Sequence, residues 1–138
     1  MKKLIQTYYS ETLVNLVSLF LRIGVGAMML THGYPKFERL FGETISFPEV
    51  LGMSASVSLF LAVFSEFFCS ILLILGLFTR LASIPLIITM LIAVFLIHGD
   101  DPFSRQELGL HYIIAYVSIL ILGSGKYSLD YYIMKRNS

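Results

Sequence analysis

Two long apolar stretches, each broken by a single charge, constrain this chain more than any other feature. From Thr12 to Leu30 the only charged residue is Arg22, and from Val57 to Leu77 the only one is Glu66. Two more apolar stretches follow, from about Leu81 to Ile97 and from about Leu108 to Leu122. An α-helix needs roughly 20 predominantly apolar residues to cross a bilayer. A helix suits that setting because it satisfies its backbone polar groups internally. The expected fold is all-α: a four-transmembrane-helix antiparallel bundle, forming a single transmembrane domain over residues 1–138. The spans are read as residues 12–30, 57–77, 81–97 and 108–122. Charged residues make up 14% of the chain, against about 25% in an ordinary soluble domain.

The connections are unequal. Gly76 to Arg80 reads as a tight helical hairpin between the second and third spans. Pro85 falls one turn into the third span, where its missing N–H does little harm. Between the third and fourth spans, Asp100-Asp101-Pro102 reads as a turn leading into a helix. The segment from Thr31 to Ala55 holds Pro35 and Pro48 and is expected at the membrane interface, as a loop or short amphipathic helix. Lys2 and Lys3 precede the first span without an A-x-A-like site after it, so this span is read as retained rather than as a cleaved leader.

Loop cations orient the bundle. With the N-terminus inside, Lys2, Lys3, Arg80, Lys126, Lys135 and Arg136 lie on the inner side, and Lys36, Arg39 and Arg105 on the outer side. That asymmetry favours both termini in the cytoplasm, and the expected location is the cytoplasmic (inner) membrane, as a multi-pass protein. Tyr8, Tyr9, Tyr131 and Tyr132 would form an inner aromatic belt. The net charge of +1 and the lack of a long basic stretch exclude a nucleic-acid partner. The single cysteine, Cys69, excludes an internal disulfide, a CxxC pair or a four-thiolate cluster. Redox chemistry would therefore use a borrowed cofactor or a partner.

Arg22 and Glu66 each fall near the middle of their span, counted from opposite ends, so a buried ion pair between them is expected. An unpaired charge at that depth costs at least about 2.5 kcal/mol. The pair could fix helix register only, or handle protons or orient a ligand. At the outer end, His32, Lys36, His98, Glu107 and His111 are expected to converge, with Glu107 and His111 on one face of the fourth helix. Such a set could take an anionic or quinone-like headgroup, or a metal; each residue could equally be an interfacial polar group. Gly24, Gly26 and Ala27 give the first helix a small face for close packing.

These residues resemble the DoxX family. The resemblance rests on Leu21-Arg22-Ile23-Gly24, His32-Gly33 and Lys36; on Glu66 and the run Leu73 to Arg80; on Met90, Ala93 and His98; and on Glu107-Leu108 with the exit motif Gly123 to Asp130. It covers roughly residues 15–132. It implies a four-helix membrane protein of the DoxX and DoxD group. Members related to DoxD are similar to the membrane subunit of a thiosulfate:quinone oxidoreductase, and others are linked to membrane complexes that handle thiol and oxidative stress. The positions it carries over are Arg22, His32, Lys36, Glu66, His98, Glu107 and Asp130; His111 has no counterpart.

The functional expectation is a subunit of a quinone-linked membrane oxidoreductase. His32, His98 and Lys36 would act catalytically, and Arg22, Glu66, Glu107 and His111 would bind the ligand. No metal is assigned, and the cofactor is open, with a quinone as the candidate. The alternatives are a non-enzymatic scaffold for a soluble redox or sulfurtransferase partner, and a small-molecule transporter. The bilayer is a partner in every case, and a homo-oligomer is left open because four helices alone give a transport pathway little room.

Overall fold

The computed structural model describes Leu4, Ile5 and residues 9–138. These residues form five helices and no strand: α1 (Glu11–Arg39), α2 (Ala55–Leu75), α3 (Thr79–Ile97), α4 (Phe103–Leu122) and α5 (Leu129–Arg136). Helices α1, α2 and α3 are long and apolar enough to cross a membrane. Helix α4 has 20 residues but carries Arg105, Glu107 and His111 in its first half. Lys2, Lys3 and Tyr8 lie outside the described residues.

Helix α2 packs against α1 and α3, and α4 packs against α3 and α1, so the four long helices close around one core in chain order. Met29, Leu73, Leu86, Tyr116 and Ile119 fill that core. Phe20, Phe95, Ile114 and Ile121 stand exposed on the periphery. A surface this rich in large apolar side chains marks contact with a membrane rather than with water.

Local signals explain the helix ends. The Ser54 hydroxyl caps α2 by accepting from the Val57 N–H. Gly76 ends α2 at φ +68°. There its N–H donates to Leu73 O at 3.1 Å and the Leu77 N–H donates to Leu72 O at 2.9 Å. These two bonds satisfy carbonyls that the helix end would otherwise leave open. The hairpin expected at Gly76 to Arg80 is thus present.

Three expectations change. Helix α1 continues through Pro35 to Arg39, where a loop or short interfacial helix was expected from Thr31. An interior proline costs about 3 kcal/mol. Packing of this last section against α2 offsets it, including Phe37 stacked on Phe67 with centroids 4.6 Å apart. Helix α3 starts at Thr79, so Pro85 lies deeper than the first turn. The exit motif leads into an additional short helix, α5, capped by the Ser128 hydroxyl.

Candidate functional site

The end of the bundle that holds the C-terminal part of α1 is organised where α1 crosses α2. At Gly33, an added Cβ would lie 2.6 Å from the carbonyl carbon and oxygen of Glu66 and 2.8 Å from Phe67 N. Only glycine permits that approach. The contact falls in a π-helical turn, Phe64–Cys69, within α2. Such turns widen the helix and are frequent at functional sites. One turn beyond Gly33, Lys36 Nζ lies 2.6 Å from both carboxylate oxygens of Glu66. The Glu66 side chain is 3% exposed and that of Lys36 28%. A carboxylate buried this deeply requires its cation: breaking such a pair typically costs about 3–5 kcal/mol.

The pair forms part of the wall of a cavity of about 230 Å³ that His32, His98, Arg105 and Tyr112 also line. His32 meets the Tyr112 ring edge-on at 6.0 Å, and Tyr112 stacks on buried Tyr116 at 5.8 Å. His98 follows a second π-helical turn, Ala93–Ile97. Its Nδ1 lies 2.6 Å from Asp101 Oδ2, and its backbone carbonyl accepts from Gln106 Nε2 at 2.8 Å. On the other side of the pair lies a more apolar cavity of about 300 Å³ between α2 and α3, lined by Lys36 and Glu66 as well.

The structure therefore brings His32, Lys36, Glu66 and His98 together around one cavity. Glu107 and His111 are exposed on α4 and are not among its lining residues. The His111 Nδ1 instead meets the Glu107 carbonyl at 2.7 Å. The face of α4 that reaches the cavity is Arg105, Leu108, Gly109 and Tyr112. One residue of helix turns a side chain by about 100°, so the expectation chose the neighbouring face. Tyr112 was missed; its spacing of one turn from both Leu108 and Tyr116 was the available signal.

Arg22 is elsewhere, and the expected Arg22–Glu66 pair does not form. Fully buried, Arg22 donates from Nη1 to Leu73 O at 3.1 Å and Ile74 O at 3.4 Å, and from Nη2 to Tyr127 O at 2.6 Å. Those α2 carbonyls lie about two turns further along the helix than Glu66. The depth estimate started from Thr12 and assumed a span ending near Leu30. Because α1 runs to Arg39, Lys36 lies in its last turn, and Arg22 falls in its N-terminal half.

Arg22 is the centre of a latch that ties the C-terminal segment to the α2–α3 hairpin and to α1. Asp130 accepts from Phe78 N at 2.7 Å and Thr79 N at 3.0 Å, capping α3. In return, Asp130 N donates to Gly76 O at 2.9 Å. Ser18 Oγ donates to Gly123 O at 2.8 Å, and Lys126 N donates to Asn15 Oδ1 at 2.9 Å. The Lys126 ammonium meets Glu11 at 2.8 Å, and this hydrogen bond holds its pKa above the ordinary lysine value. Gly26 supports the expected close packing, since a Cβ there would meet Ile74 Cγ1 at 2.7 Å. Gly24 has nothing within 4 Å. Among the described residues, no three of His, Cys, Asp and Glu form a group able to hold a metal.

The architecture is that of a helical membrane protein with a structural latch at one end and a charged cavity at the other. The family model for DoxX matches residues 17–99, and the chain belongs to the DoxX family. The match takes in Arg22, His32, Lys36, Glu66 and His98 and stops before α4 and the exit motif. An uncharacterized protein of Haemophilus influenzae is 36% identical over 118 residues, covering 80% of this chain and 86% of that protein. No solved structure matches.

Proposed function

We propose that this DoxX-family membrane protein is the membrane subunit of an oxidoreductase, with a quinone or similar amphipathic molecule bound at the Lys36–Glu66 cavity. In this reading all four long helices cross the cytoplasmic membrane and both termini face the cytoplasm, with the cavity toward the outer face. The packing of α4 alongside α1 and α3 supports a fourth span. The excess of Lys and Arg on the side of the termini supports the orientation.

The observation that carries the reading is the gathering of His32, Lys36, Glu66 and His98 around one cavity at one end of an apolar bundle. Reduction of a quinone consumes two electrons and two protons. Lys36 would donate a hydrogen bond to a carbonyl oxygen and stabilise negative charge as it develops. The Asp101 carboxylate favours the tautomer in which His98 Nδ1–H donates to it, across 2.6 Å. That leaves Nε2 free to exchange a proton with the ligand, work to which an imidazole is suited. His32 could serve as the second proton carrier. The electrons would come from a partner that carries a redox group or a reduced sulfur substrate, because Cys69 is buried in the core.

The test is binding of a short-tailed quinone by the purified protein in nanodiscs, followed by turnover with the electron-donating partner. Wild type should bind the quinone, and His98→Ala should retain binding but lose at least about 100-fold in turnover, the lower end of the range for a general acid or base. The reading fails if wild type binds no quinone and His98→Ala leaves electron transfer unchanged.

A further inference from the structure

We propose that the apolar cavity between α2 and α3 is a bilayer-side seat for a neutral, carbonyl-bearing lipophile, with the Ser65 hydroxyl donating a hydrogen bond to it. This rests on the quinone reading and adds where the ligand enters and a residue that recognises it. Ser65 lines this cavity and is 1% exposed. Its Oγ has no hydrogen-bond partner. A buried hydroxyl is ordinarily paired, and an orphan one calls for an explanation such as a missing ligand. Ser65 sits in the π-helical turn beside Glu66, so its environment is set by the same distortion that places the ion pair.

The rest of the cavity defines what fits. Leu61, Phe64, Ile88 and Ile97 line it and are also exposed on the outside of the bundle. Its mouth therefore faces the lipid-contacting side, and a ligand arriving there partitions from the bilayer. Lys36 Nζ has three donors, and one carboxylate engages it here. The Phe47 ring lies 5.9 Å from the same nitrogen. A ligand anion would have to stand beside the Glu66 carboxylate or displace it from Lys36. A neutral carbonyl oxygen avoids that repulsion and can accept from Ser65 O–H or from the ammonium. The volume of about 300 Å³ falls at the lower end of ordinary small-molecule sites.

The experiment uses wild-type protein in nanodiscs and a benzoquinone whose alkyl tail carries a photoreactive diazirine, with oleate as an anionic competitor. Wild type should crosslink through Leu61, Phe64 or Ile88, and oleate should not compete. Ser65→Ala should bind the quinone about tenfold more weakly, a loss of about 1.4 kcal/mol. Its thermal stability without ligand should equal or exceed that of wild type, because the deleted hydroxyl has no partner to lose. Quinone binding unaffected by Ser65→Ala, crosslinks confined to α4, or displacement by oleate would overturn this inference while leaving the quinone reading in place. Failure of wild type to bind any quinone would overturn both. If Ser65→Ala does not fold, the wild-type crosslinks decide between α2–α3 and α4.

Discussion

At the scale of single residues, Gly33 is the position on which the Lys36–Glu66 site depends. It lets α1 approach the backbone of Glu66, and that approach puts Lys36 within reach of the carboxylate. Gly33→Ala should push α1 away from α2, lowering stability by about 2 kcal/mol through overpacking. Equilibrium unfolding in mild detergent would measure it, and an unchanged stability would show that the helices are not in this contact. The sequence made Lys36 and Glu66 visible, since intramembrane and juxtamembrane charges stand out against apolar surroundings. It did not reveal that they pair. Partner choice depends on the relative axial position of two helices, and a helix end misplaced by nine residues moves a side chain by about 13 Å. That error assigned Glu66 to Arg22.

At the scale of elements, the helices were legible as apolar runs, but their ends and rotational phases were not. The segment from Thr31, with Pro35 in it, reads as a loop or short interfacial helix because the packing of Phe37 on Phe67 is not visible in local propensity. The two π-helical turns, Phe64–Cys69 and Ala93–Ile97, left no readable mark in the apolar pattern. In α4 the chosen face was one residue off, which directed attention to Glu107 and His111 in place of Tyr112. The exit motif, by contrast, was recognised as a unit, and its role is physical: Asp130 caps α3 across a gap in sequence. Asp130→Ala should expose two amide donors at the hairpin and cost about 1–2 kcal/mol, within the range for loss of a helix cap. The same variant should make the segment after Gly123 more susceptible to limited proteolysis, while quinone binding by the folded protein stays within a factor of about two, well below the tenfold step of 1.4 kcal/mol. Equal proteolysis rates for variant and wild type would contradict the latch.

At the scale of the whole molecule, the latch and the charged cavity are separated along the bundle axis. Arg22, Ser18, Gly76 and Asp130 close one end with bonds to backbone groups, while Lys36, Glu66, His32 and His98 line the cavity at the other. The topology is open to a direct check because Cys69 is buried and should not compete in thiol labelling. Cysteines placed at exposed Glu43 and Ser104 should react with an impermeant maleimide in intact cells, and one at exposed Asn137 only after permeabilisation. Labelling of Asn137→Cys from outside would reverse the orientation, and labelling of all three from one side would contradict the four crossings.

The division of labour between the two ends is tested most directly by native mass spectrometry of the protein released from nanodiscs after incubation with a short-tailed quinone. Wild type and Arg22→Lys should each retain one quinone mass on the folded species, with Arg22→Lys less stable because an ammonium cannot reproduce the guanidinium fork. Lys36→Met should lose the bound mass. Retention by Lys36→Met, or loss from folded Arg22→Lys alone, would contradict the assignment of ligand binding to the Lys36–Glu66 cavity.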